Sequence, residues 1–349
     1  MPRRRVVPAL GVALTIMTGA AIATWPSMSD APAHGRGGRP AGAATLPPHA
    51  DPRAPAAIVT PDDDVPNPFV LVDDGTYYMY SSETSSTSPQ IALRTSTDRE
   101  HWSPITDALP VLPPWAAPGF TWAPDVRKVG DVYVMYFTAM VRDRPTQTEC
   151  IGTATSKSPA EPFTPNADQL VCQLDHLGSI DPRTFVDVDG TLWLHWKSDE
   201  NADTRGTSHT WIYAQRLRDD GLHLGGPRST ILTADQPWEG RIVEAPQMVL
   251  AGDHYWLFYS GNWFNQPLYA IGAAACSGPA GPCIKPFPAP LLWWNGQGAG
   301  PGEASLFEDG DGWWMVYAPW AQDFALTTPR PAALARVAFG HHGPYLAAF

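Results

Sequence analysis

The chain has 349 residues, enough for one large β domain with a core of its own. Its formal net charge of −12 repels phosphate backbones, which argues against nucleic acid as a partner and suits a neutral ligand. With 38 Pro, 30 Gly and 15 Trp, the composition argues against a helical bundle and for turn-rich β structure with aromatic surfaces.

At the N-terminus, Arg3, Arg4 and Arg5 precede an apolar run from Val6 to Trp25, the pattern of an export signal. Cleavage is expected after Ala23 or Ala33, and an uncleaved membrane anchor is the alternative. Residues 34–60 are rich in Pro, Ala and Gly and read as a flexible linker, of which Ala57 to Thr60 are candidates to complete a final sheet. Residues 61–349 then form the folded domain. Export places the protein in the extracellular space or at the cell envelope. There, four cysteines imply two disulfides, and Cys150–Cys172 with Cys276–Cys283 is the favoured pairing because each pair falls inside one repeat.

The repeat is a hairpin. Return strands begin at Tyr77, Val132, Leu192, Tyr255 and Trp313, about every 60 residues, each after a Gly turn. The third is the clearest: Asp181-Pro182 opens an extended run, Asp189-Gly190 reads as a two-residue type I′ turn, and Leu192 to Trp196 returns. A polar residue heads each repeat: Asn67, Asp125, Asp181, Glu244 and Glu303. Five such repeats in an all-β chain predict a five-bladed β-propeller whose leading side chains converge at one end of the channel. An ordinary β-sandwich of hairpins is the competing architecture.

A ring of carboxylates and aromatics suits a sugar. Aromatic faces stack on the C–H faces of sugar rings, and two carboxyl groups can cleave a glycosidic bond if one keeps its proton. Glu244, on a longer side chain beside Ala245-Pro246, suits the proton donor, and Asp181 the charge that tunes it. Trp122, Trp238 and Trp263 are candidate sugar platforms, with blade packing as their alternative role. Asp125 and Glu303 are candidate substrate contacts. His195 is expected to pack within its strand, and the ten His show no spaced metal motif.

Taken in order, Trp122-Ala123-Pro124-Asp125-Val126, Cys150-Ile151-Gly152-Thr153, Ile180-Asp181-Pro182, Trp238-Glu239-Gly240 and Val243-Glu244-Ala245-Pro246 resemble glycoside hydrolase family 43. That resemblance implies a five-bladed propeller that inverts at the anomeric carbon of arabinose- or xylose-containing oligo- or polysaccharides, acting as a monomer. It implies Glu244 as general acid and Asp181 as the residue that tunes and orients it. The family's general base is an Asp-Pro near the start of the first blade, where this chain has Asn67-Pro68. An amide cannot take a proton from water near neutral pH. Asp62, Asp63 and Asp64 lie just upstream as substitutes, and a sugar-binding propeller without turnover is the alternative the amide opens. Where relatives carry His, this chain has Glu303, a candidate oxygen ligand for Ca2+ at the channel centre. No cofactor is required.

Overall fold

A computed structural model describes residues 57–60, 63–82, 89–144, 147–202, 208–293, 298–321 and 329–347. The expected signal or anchor, the linker up to residue 56, and Asp62 lie outside the described residues.

Five antiparallel sheets account for nearly all of the described structure. Their inner strands are Phe69–Asp73, Ala116–Val129, Ser179–Val186, Val243–Ala251 and Ala299–Asp309. Each is followed by its return strand, Thr76–Ser82, Val132–Val141, Leu192–Ser198, His254–Gly261 or Gly312–Trp320, and then by outer strands in chain order. This is the five-bladed propeller that the repeats predict. The inner strands enclose a channel whose lower part is a cavity of about 360 Å³, walled by Phe69, Val126, Thr184, Gln247 and Leu306, one from each blade.

The ring closes with chain from both ends. Ala57–Ile58 pairs with Ala333–Leu334 in the last blade, and Gly343–Ala347 pairs further along the same strand, from Arg336 to Gly340. The last four residues assigned to the linker therefore begin the propeller, as their apolar sequence allowed.

Strand alternation explains the packing. A return strand in a propeller has a blade on each side, so both of its faces are apolar. Tyr80 faces the second blade, with Met135 and Phe137, while its neighbour Met79 faces the fifth, with Trp314 and Val316. The buried apolar residues accordingly divide into five clusters, one between each pair of adjacent blades. A side chain of this size, fully buried, contributes about 1.5–3 kcal/mol.

One turn differs from its expectation. The third hairpin is not a two-residue loop: its strands end at Val186 and resume at Leu192. Gly190 N–H donates to Asp187 C=O, and only Gly190 is left-handed, at φ 82°. A type I′ turn needs two left-handed residues. Asp189 is spared that cost because its carboxylate accepts from Thr191 N–H in a longer turn. Asp74-Gly75, at φ 46° and 73°, does adopt the paired left-handed form.

Both disulfides form as favoured. Cys150–Cys172 and Cys276–Cys283 each join strands or strand ends of a single blade.

Candidate active site

At the top of each inner strand one non-glycine residue is left-handed: Asn67 (φ 49°), Ala123 (49°), Asp181 (56°), Ala245 (47°) and Glu303 (57°). Four of them precede proline. The strand register slips there in blades two to five, a bulge that re-aims the side chains. Such backbone is unfavourable for Ala and Glu, so the surroundings must hold it. They do so in a repeated way, because each left-handed amide donates to a side chain of the preceding blade. Ala123 N–H donates to Ser82 Oγ (2.8 Å), Asp181 N–H to Thr138 Oγ1 (3.1 Å) and Glu303 N–H to Ser260 Oγ (2.9 Å). In the other two joints the ring acids are the acceptors: Ala245 N–H donates to Asp181 Oδ2 (2.9 Å) and Asn67 N–H to Glu303 Oε2 (2.9 Å).

This corrects the expected ring. Its equivalent members are Asn67, Ala123, Asp181, Ala245 and Glu303. Glu244 sits one residue before its ring position and Asp125 two residues after. Asp125 is buried in the channel wall, where Thr184 Oγ1 donates to its Oδ2 at 2.5 Å, and it is 1% exposed. It ties the second blade to the third instead of facing the pocket, as a candidate substrate contact would.

Asp181 and Glu244 come together. The amide that Asp181 holds is that of Ala245, the residue after Glu244. Lys197 Nζ, at the end of the third return strand, donates to Glu244 Oε2 at 2.7 Å, and Tyr269 Oη donates to Glu244 Oε1 at 2.6 Å. Both contacts are buried. Burial raises the Asp181 carboxyl, with Glu244's charge adding to the effect and Lys197 opposing it, and the result is pushed up to about 6. For Lys197, burial acts to lower the ammonium, but Glu244, Asp199 and Asp181 outweigh it and hold the group above the usual lysine range. Burial likewise raises the Tyr269 phenol well above its ordinary value, so it keeps its proton and remains a donor.

Tyr269 reaches Glu244 only because residue 302 is glycine: a Cβ there would lie 1.8 Å from the Tyr269 ring. Lys197 and Tyr269 were both missed from sequence. The available signal for Lys197 was a lone cation at the end of an apolar strand, Leu192 to Trp196, which needs a buried partner.

Glu303 closes the ring beside Asn67. Its Oε2 also takes Arg330 Nη1 at 3.2 Å, and the Arg330 guanidinium lies 4.9 Å over the Trp320 ring. Burial raises the Glu303 carboxyl, with Arg330 opposing. Arg183, also unforeseen, is 2% exposed beneath the ring, where Nη1 donates to Pro124 C=O at 2.5 Å. Two guanidinium groups near Glu303 do not fit Ca2+, and among the described residues no group of three His, Cys, Asp or Glu is arranged to hold a metal ion. Of the upstream acids, Asp63 pairs with Arg94 (3.2 Å) and Asp64 accepts Arg330 N–H (2.9 Å).

The tryptophans divide. Trp238 stacks on Tyr259 at 5.7 Å, against Gly261 and Gly272, and donates to Gln236 Oε1. It packs blade four, and Glu239 beside it is a buried hub for Tyr259 Oη, Lys285 Nζ and two backbone amides. Trp122 stays half-buried next to ring residue Ala123, edge-on to the exposed Phe120 at 5.6 Å. Trp263 is half-buried in the loop after the fourth return strand, with Arg241 at 5.7 Å. His195 packs as expected: it is fully buried, its Nε2 lies 2.8 Å from Pro279 C=O, and burial lowers its pKa to about 4.

The model of glycosyl hydrolases family 43 matches residues 59–344. The chain belongs to this family. Among curated relatives, the extracellular exo-α-(1→5)-L-arabinofuranosidase ArbA of Cellvibrio japonicus is 26% identical over 219 residues, 56% of this chain and 58% of that protein. A probable arabinan endo-1,5-α-L-arabinosidase A of Aspergillus flavus is 29% identical over 192 residues, 54% of each chain. The family-43 chain thus spans little more than half the length of these relatives. A thermostable family-43 glycoside hydrolase superposes with a TM-score of 0.72 at 27% identity, covering 82% of this chain and 93% of the other. The Cellvibrio cellulosa α-L-arabinanase bound to arabinohexaose shares the fold, with a TM-score of 0.66 at 18% identity over 82% of this chain and 96% of that one.

Proposed function

We propose that this family-43 protein is an exported glycosidase acting on arabinose- or xylose-containing oligo- or polysaccharides, with Glu244 as general acid and Asp181 as its tuner. The observation that supports this reading is the hydrogen bond from Ala245 N–H to Asp181 Oδ2, which ties Asp181 to the residue that follows Glu244. Export is supported by the two formed disulfides and by the extracellular relative.

In this reading the glycosidic oxygen leaves with a proton from Glu244, with Asp181 beside it, while Lys197 and Tyr269 fix the Glu244 carboxyl. The family's inverting chemistry then needs a base on the opposite face of the sugar, at the position of Asn67. Glu244→Gln is expected to lower kcat/KM on an aryl α-L-arabinofuranoside or β-D-xyloside by about 10²–10⁴-fold with the fold intact. Retained activity rejects Glu244 as the acid. NMR of fresh product from any active form should show the inverted anomer.

Asn67 favours a second reading, a glycan-binding propeller that releases no product into water. Comparison of wild type with Asn67→Asp separates the two. Strong wild-type hydrolysis supports the enzyme, and a rate near zero that rises sharply in the variant supports the binder.

A further inference from the structure

Asn67 cannot act as a base: its Oδ1 accepts the Ser82 Oγ proton at 2.8 Å, and an amide takes no proton from water. Of the acids upstream, Asp63 is paired with Arg94 and Asp64 holds Arg330 N–H. The carboxylate bonded to Asn67 itself is that of Glu303, the ring residue of the fifth blade. Asn67 N–H donates to Glu303 Oε2 at 2.9 Å, and Arg330 Nη1 donates to the same oxygen at 3.2 Å. Among the described residues no hydrogen bond reaches the other oxygen, Oε1. The Glu303 side chain is 10% exposed, as is that of Glu244, so neither carboxyl is sealed from solvent. The two are drawn apart around the ring. Lys197 Nζ holds Glu244 toward the third blade, and the Asn67 amide holds Glu303 toward the first. The Tyr269 side chain spans the gap, its ring against Gly302 and its Oη on Glu244 Oε1 at 2.6 Å.

Inversion requires a proton donor on one side of the sugar and a carboxylate that activates water on the other. We propose that Glu303 is the general base of this propeller, activating water in place of residue 67. The inference rests on the glycosidase reading, with Glu244 as acid. In the step, Glu303 Oε1 takes a proton from water as the water oxygen bonds to the anomeric carbon, on the face opposite the leaving group. The bond from that carbon to the glycosidic oxygen breaks, and the oxygen takes the Glu244 proton. The products are the inverted free sugar and the released hydroxyl. Glu303 then gives its proton to solvent, and Glu244 recovers one from solvent. The surroundings of Glu303 suit the role. Burial raises its pKa, Arg330 opposes, and the charges of Glu244 and Asp64 add to the rise, while the Asn67 amide lowers it. Its own charge is felt by Arg183 beneath the ring, by the Tyr269 phenol of the fourth blade and by Asp181 of the third. The outcome is a carboxyl held above its ordinary value, which is a stronger base than a solvated one.

The test compares wild type, Glu303→Gln, Asn67→Asp and the double variant on a dinitrophenyl glycoside of arabinofuranose or xylose. That leaving group needs no protonation, so the rate reads the base without Glu244. Glu303→Gln is expected to lose about 10²–10⁴-fold in kcat/KM. Adding Asn67→Asp to it should restore hydrolysis, because a carboxylate returns to the adjacent ring position. Asp already adopts the left-handed backbone at residue 181, so residue 67 is expected to accept it. Where circular dichroism shows Glu303→Gln unfolded, Arg330→Met reads the same group. Without the cation that lowers the Glu303 pKa, the acid limb of kcat/KM should move to higher pH. Four results overturn the proposal and leave Glu244 as acid in place: a folded Glu303→Gln at the wild-type rate, a loss that Asn67→Asp does not rescue, an acid limb unmoved in Arg330→Met, or a wild type inert where Asn67→Asp hydrolyses. If wild type and a folded Asn67→Asp are both inert on every glycoside, the glycosidase reading falls and Glu303 as base falls with it.

Discussion

Lys197 is the residue on which the acid pair turns. Its ammonium is bonded to the Glu244 carboxylate, and its charge opposes the effect of burial on Asp181. Removing it as Lys197→Met should move the alkaline limb of kcat/KM up by about 1–3 pH units, because Asp181 then loses the positive charge that lowers its pKa. A limb that stays in place shows that Lys197 does not govern the proton. Asp181 carries a stability cost of known sign. Its folded pKa, pushed up to about 6 by burial, exceeds that of the unfolded chain, so the native state binds the proton more tightly. Stability is therefore fullest at low pH and falls as pH rises from about 4 to 6. Asp181→Asn should raise Tm at pH 7.5 and leave it nearly unchanged at pH 4, a contrast that thermal melts at the two pH values measure.

The inner strand with its bulge is the element that builds the site. A regular strand would alternate its side chains between neighbouring blades, as the return strands do, and none would point along the channel. The left-handed residue breaks that alternation, and the amide it frees is taken up by the previous blade. The device tolerates Ala at two positions, which is why the first polar residue of a blade is a poor guide to ring membership. In the fifth blade it also requires Gly302, over which Tyr269 lies. Gly302→Ala should destabilise the fold by about 1–3 kcal/mol in chemical denaturation and displace Tyr269 from Glu244. A variant as stable as wild type, with unaltered kinetics, contradicts that contact.

For the molecule as a whole, the five interblade clusters distribute the core around a ring, and Ala57–Ile58 closes it against the last blade. The two disulfides do not span blades. Cys150–Cys172 closes a separation of 22 residues and Cys276–Cys283 one of 7, so on loop entropy the first contributes about 3 kcal/mol and the second about 2. Paired Ser replacements, melted separately, should show the larger drop in Tm for the first. Equal or inverted drops show that native contacts near the sulfurs outweigh loop closure.

What the linear order of residues determined by itself is whatever depends on local chemistry repeated at a fixed period. Gly turns ahead of aromatic strands predicted five blades, cysteines within one repeat predicted their partners, and Asp181-Pro182 and Glu244-Ala245-Pro246 pointed to two carboxylates of adjacent blades that the fold brings together. Asn67-Pro68 put an amide, not a carboxylate, at the head of the first blade. Tertiary structure alone decided which side chains share the pocket. Asp125 was two residues out of phase and turned into the channel wall, Trp238 was absorbed into blade packing, and Lys197, Tyr269, Arg183 and Arg330 arrived from strands and loops far away in sequence. The reason is physical: a bulge of one residue re-aims a side chain without changing composition or period. A buried ion pair between residues 47 positions apart likewise has no local signature, because its stabilisation exists only once burial has removed the water between the charges.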